Sequence, residues 1–343
     1  MTVSRRSRRE WRIFLWMSLV SALVSAVFSY LNSASGLFWI EALRGVASSL
    51  VIATPIMLFE LKGYRVAALH RLRRLPLVAY FALKFLFYVV VIVGGLVLIR
   101  VVFATGAEAP AKLDVIFTRA LGFAVAMSIF GNLIFVFGGL LGLGTLKNLL
   151  TGRYVQPRRE ERAFLLIDMK NSTGVAERLG PVRFHALLND FFRNVSDAAL
   201  ECDAEIHKYV GDEAILTWPD DDAVADNDCL ACAFVARDRI AVDAYRYRRR
   251  YGVVPEFRAA LHRGEIIAGE IGDVRREIAY VSDTLNVAAR LLDAAKQLGR
   301  DVLVSTDLLE RTTLPEGVKA EKLPTLKVRG REAPLEIAAL ELS

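Results

Sequence analysis

With 343 residues, 54% of them hydrophobic, and a mean hydropathy of +0.35, the chain is too long for one small domain and too apolar for a purely soluble one. The net charge of +6 is modest but unevenly placed: Arg5, Arg6, Arg8, Arg9 and Arg12 crowd the N-terminus, and Arg65, Arg71, Arg73 and Arg74 crowd a later loop. Apolar runs flank both clusters, which favours an anionic lipid surface as partner over a nucleic acid polymer.

Four apolar stretches, 11–31, 37–61, 77–103 and 120–144, reach the ~20 residues that a membrane-crossing helix needs. The first follows an Arg cluster but lacks a small-residue cleavage site, and three further spans follow it, so it reads as a retained helix rather than a signal peptide. Basic residues concentrate in the N-terminal tail, in 62–74 and after Lys147, whereas the other two loops carry only Lys112. By the positive-inside rule, a multi-pass protein of the plasma (inner) membrane with both termini cytoplasmic is expected. Glu41 and Arg44, spaced i and i+3 inside the second stretch, read either as a sensing site or as an interfacial ion pair.

A basic segment, 146–162, is expected as a helical connector that continues the last span, and a soluble α/β domain over 163–343 follows. Its elements read as a strand ending in "AFLLID", a helix over 173–202 and a hairpin around Gly211-Asp212. A helix over 222–251, strands in "EFRAALHRGEIIAGEIG" and "EIAYVS", a helix over 284–298 with Asp283 as N-cap, and closing strands complete it. The alternation β-α-β-β-α-β predicts a ferredoxin-like sheet with elaborations, behind a membrane domain over 1–145 with about four helical spans. Cys202, Cys229 and Cys232 are the only cysteines; with no second pair to complete a metal site, they read as buried, reduced thiols of a helix face.

The chemistry concentrates where the first strand ends. Asp168 runs straight into "MKNSTG", a short turn that opens a helix, so a carboxylate stands beside the backbone N–H groups of Asn171, Ser172 and Thr173, an arrangement suited to a cation next to a phosphate. Asp212 sits in the hairpin turn of "IHKYVGDEAILTW"; if that hairpin lies beside the first strand, the two carboxylates converge on a site for Mg²⁺ or Mn²⁺. Glu213 reads as a hairpin or salt-bridge residue rather than a ligand.

Together "FLLIDMKNSTGVAE", "HKYVGDEAILTW", "GEIIAGEIG" and "YVSDTLNVAARLLDAAK" resemble the catalytic domain of class III nucleotide cyclases, the adenylyl and guanylyl cyclases. The resemblance implies two divalent ions per site held by Asp168, Asp212 and the backbone carbonyl of Met169. It implies that Lys208 recognises adenine, that Asn286 orients the ribose, that Arg290 stabilises the α-phosphate, and that Arg329 or Arg331 meets the terminal phosphates. Where the family carries an Asp or Thr acceptor for the adenine amino group, this chain has Ala279, and where it commonly has Gly before Asp283, this chain has Ser282. Since the family builds each site from two subunits and all its groups occur on this chain, a homodimer acting on ATP is expected, with 3′,5′-cyclic AMP and pyrophosphate as products. A guanylate cyclase and a catalytically silent cyclase-like membrane receptor stand as alternatives. A diguanylate cyclase turn has two glycines and ends in Phe, unlike Val210-Gly211-Asp212-Glu213-Ala214 here.

Overall fold

The computed structural model describes residues 5–31, 38–62, 75–102, 115–225, 228–274, 276–326 and 334–342, which form two compact units divided after Leu143. The first unit is made of α1 (Arg5–Leu31), α2 (Phe38–Lys62), α3 (Leu77–Val102) and α4 (Val115–Leu141), four helices long and apolar enough to cross a membrane. Consecutive helices pack on one another, and α1 meets α2 at Gly45, where a Cβ would lie 2.4 Å from the Ser25 carbonyl oxygen. A small residue is required at so close a crossing.

Two polar clusters lie among these helices. Arg44 donates to Glu41 at 3.4 Å, and Ser29 approaches the same carboxylate at 3.5 Å. Lys84, which is buried, pairs with Glu60 at 2.6 Å and donates to Asn132 at 3.3 Å, while the Tyr88 hydroxyl donates to Glu60.

A short helix, α5 (Leu143–Leu150), starts at the division and precedes β1 (Arg158–Met169) of the second unit. The expected helical connector over 146–162 is thus corrected: its helix stops at Leu150, Gly152 takes a left-handed φ of 63°, and Arg158 already pairs with Ala268 in the sheet. The expected helix over 173–202 is two helices, α6 (Ser172–Leu179) and α7 (Pro181–Glu201). Gly180, at φ 74° and ψ 161°, breaks the run, and Pro181 opens the next helix with its fixed φ and missing N–H.

A hairpin of β2 (Glu205–Val210) and β3 (Glu213–Pro219) follows. The single helix expected over 222–251 divides into α8 (Asp220–Ala225), α9 (Asp228–Val242) and α10 (Ala244–Tyr251). Then come β4 (Phe257–Ile271), β5 (Glu277–Val281), α11 (Asp283–Leu298), β6 (Val302–Ser305), α12 (Thr306–Leu309), β7 (Val318–Leu326) and β8 (Leu335–Leu342). Ser282, extended at φ −170° and ψ 165°, caps α11, so Asp283 is the first helical residue and not the N-cap.

The strands form one sheet in the order β2-β3-β1-β4-β6-β8-β7, with β5 paired to β4, and its first four strands have the ferredoxin-like arrangement. β1 is buried on both faces, which explains its unbroken apolar run. Ala163, Leu165, Ile167 and Met169 join one core with α7 and α9, while Phe164 and Leu166 join the other beneath α11. Cys202, Cys229 and Cys232 are free and lie in the first of these cores, where burial pushes the Cys229 thiol up to about 12.

Candidate active site

Asp168 is the penultimate residue of β1 and stands opposite Glu213 of β3 on one side and Arg258 of β4 on the other. Directly opposed residues of antiparallel strands share a face, so the three side chains form a row on the α11 side of the sheet. Val210 pairs with Glu213, leaving Gly211 and Asp212 as a two-residue turn. Gly211 has φ 61°, which the first position of a type II′ turn requires and glycine adopts without strain.

This turn delivers Asp212 to Asp168. Burial, the Asp212 charge and a hydrogen bond with Asp212 together raise the Asp168 carboxyl from 3.8 to about 6. Burial and the charges of Asp168, Asp212 and Asp293 raise Glu213 from 4.5 to about 7. Glu213 thus belongs to an acidic group, in place of the salt-bridge role that its sequence position suggests. Lys296 and Arg258 are the nearest opposing charges on Asp168, and both act against its protonation. Asp293 and Lys296, one turn apart, bring the second half of α11 to the carboxylates.

Met169 is buried in the core beside Asp168. Asn171 takes a left-handed conformation at φ 51° as the N-cap of α6, makes no side-chain cap bond, and leads into Ser172 and Thr173 of the first turn. Among the described residues no group of three or more His, Cys, Asp or Glu has metal-holding geometry. Two carboxylates and a carbonyl suffice for a cation that keeps waters or binds substrate phosphates. Burial first and the Asp212 charge second raise the Asp168 carboxyl, the mark of a donor set short of positive charge, which a divalent cation would fit.

A second group of residues lies on β2, β5 and α11. Lys208 pairs with Glu277 at 3.6 Å, and Ala279 lies two residues further along the same strand. Asn286 and Arg290, spaced i and i+4, lie on one face of α11, with Asn286 exposed. Arg329 and Arg331 lie outside the described residues. Sequence reasoning missed Glu277 and the acidic company of Glu213, although strand alternation puts Glu277 on the Ala279 side.

The profile of the family described as Adenylate and Guanylate cyclase catalytic domain matches residues 155–338. Adenylate cyclase 2 of Rhizobium meliloti (strain 1021) is 35% identical over 334 residues, covering 96% of this chain and 92% of that protein. Adenylate cyclase 1 of the same organism is 28% identical over 184 residues, covering 52% of this chain but 27% of that protein. A solved structure of a bacterial light-regulated adenylyl cyclase superposes with a TM-score of 0.54 at 13% identity, covering 69% of this chain and 71% of that one, a likeness of fold alone.

Proposed function

This chain belongs to the adenylate and guanylate cyclase catalytic domain family, and on that premise we propose that it is a membrane-anchored adenylate cyclase that makes 3′,5′-cyclic AMP and pyrophosphate from ATP. The observation that carries this reading is the convergence of Asp168 and Asp212, two carboxylates 44 positions apart in sequence, at one end of the sheet. Asp168, Asp212 and the Met169 carbonyl would hold two Mg²⁺ or Mn²⁺ ions. When bound, such ions would lower the pKa of the ribose 3′-hydroxyl and neutralise the triphosphate.

The chain's own residues then position the substrate. Backbone N–H groups of Asn171, Ser172 and Thr173 at the start of α6 face phosphate oxygens. Lys208 donates to adenine N1, Asn286 orients the ribose, and the Arg290 guanidinium offers a fork of donors to the α-phosphate as charge develops there. Arg329 or Arg331 meets the departing phosphates. The 3′-hydroxyl gives its proton to solvent water, its oxygen attacks the α-phosphorus, the bond from that phosphorus to the bridging oxygen breaks, and pyrophosphate leaves with the electron pair.

Family membership supports a homodimer whose two sites each join the carboxylates of one subunit to Lys208, Asn286 and Arg290 of the other. The four apolar helices anchor this dimer in the inner membrane with the catalytic unit on the cytoplasmic side. Purified full-length protein in lipid, given Mn²⁺ and ATP or GTP, tests the reading: cyclic AMP is the expected main product. Asp212→Ala is expected to lower its formation at least about a thousandfold without dissociating the dimer. Cyclic GMP as the main product would establish the guanylate alternative, and activity surviving Asp212→Ala would remove the metal mechanism.

A further inference from the structure

The reading above leaves the adenine amino group without a side-chain partner, because the Ala279 methyl accepts no hydrogen bond. Successive residues of β5 alternate between faces. Ile278 and Tyr280 pack on the core beneath α11, so Glu277 and Ala279 share the opposite face. The Glu277 carboxylate lies 3.6 Å from the Lys208 ammonium, and the two side chains are 42% and 49% exposed.

The local backbone makes this meeting specific. β2 is irregular between Ile206 and Lys208, and such a bulge re-aims the side chain that follows it. The intervening His207 stacks on Tyr280 with ring centroids 4.4 Å apart and planes 19° from parallel, which pins β2 against β5. The Arg162 guanidinium, 5.1 Å from the centroid of the same Tyr280 ring, buttresses it. A half-exposed ion pair at 3.6 Å contributes little stability of its own, so it opens to a ligand at small cost.

We propose that Glu277 is a specificity-determining residue: with Lys208 it forms a donor–acceptor pair that reads one edge of adenine, the ammonium donating to N1 and the carboxylate accepting from the 6-amino group. This rests on the cyclase reading of the site. Glu277 takes over, from two positions earlier on the same strand face, the acceptor that Ala279 does not provide.

The test compares kcat/KM of the full-length protein in lipid for ATP and for purine riboside 5′-triphosphate, which has hydrogen in place of the 6-amino group. The wild-type chain is expected to prefer ATP by about 10- to 100-fold, the range of one hydrogen bond to a charged acceptor. Glu277→Ala is expected to bring the ratio to within about threefold of unity, by loss with ATP and little change with the analogue. Adding Ala279→Thr to that variant, which restores an acceptor on the same face, is expected to return part of the preference. If Glu277→Ala does not fold, the isosteric Glu277→Gln is expected to lower the preference about threefold to tenfold, because a neutral acceptor binds less strongly than a charged one. An unchanged ratio, or an equal fall for both substrates as expected of a residue that only steadies Lys208, overturns the proposal while leaving the cyclase reading intact. Wild-type protein that cyclises neither substrate overturns the cyclase reading itself.

Discussion

In the apolar bundle the buried Lys84 ammonium lies 2.6 Å from Glu60, whereas at the end of β1 Asp168 shares its surroundings with the like charges of Asp212 and Glu213, and the cations Lys296 and Arg258 do not bring its carboxyl back to the ordinary value. Both clusters take charge out of water; the first is closed by a short ion pair within its own unit, whereas in the second Lys296 and Arg258 offset the like charges only in part. Arg162 repeats the first pattern on β1, six residues before Asp168: buried, it pairs with Glu205 at 2.5 Å and donates to Thr217 at 3.1 Å. An ionic group that serves structure is complete within the protein. The Asp168 group keeps an excess of negative charge, because the sheet register opposes it to Glu213 while the hairpin turn adds Asp212.

The largest effect is expected from breaking the compensated pair. Lys84→Met leaves Glu60 buried beside Tyr88 without its cation and is expected to destabilise full-length protein in detergent by about 3–5 kcal/mol. Adding Glu60→Gln, which removes the stranded charge and keeps an acceptor for Tyr88, is expected to recover most of the loss. Thermal unfolding of the two variants decides this; a double variant no better than the single one would show that Glu60 is not stranded.

A smaller effect is expected at Arg162, since Glu205 is 41% exposed and water can take over its charge. Arg162→Met is expected to cost about 1.5–3 kcal/mol, the range for losing hydrogen bonds of a charged group. A change below about 0.5 kcal/mol would place this cluster with surface pairs of little consequence.

How much of this contrast was readable in the sequence depends on which interaction sets each feature. Period and composition mark the four apolar helices, the buried run of β1 and the hairpin turn at Gly211, because those features are local. The break at Gly180-Pro181 was readable too, since glycine followed by proline is a local stop and start, yet the apolar period across it masks the interruption. The place of Glu213 and Glu277 was not readable, because it depends on which residues the β1–β3 register and the folding back of β5 bring together. The same holds for Glu60, which stands at the edge of an apolar stretch and gains meaning only from Lys84 on another helix.

The smallest effect concerns the partly compensated cluster, and its sign is opposite. Asp168 is raised from 3.8 to about 6 and Glu213 from 4.5 to about 7. The folded state therefore binds more protons than the unfolded chain between about pH 4 and pH 7. A carboxyl raised in this way contributes stability that is fully present below its unfolded pKa and is lost as pH rises through its folded pKa. In EDTA, then, the melting temperature of the full-length protein is expected to fall across this window. Asp212→Asn removes one of the charges that raises both groups, so it is expected to flatten the fall and to melt a few degrees above wild type near pH 7.5. With Mn²⁺ the order is expected to reverse, because the cation stabilises the wild-type carboxylates and finds one fewer in the variant. If Asp212→Asn melts below wild type in EDTA at that pH, the like charges are not the source of strain, and the contrast with Lys84 and Glu60 loses its physical basis.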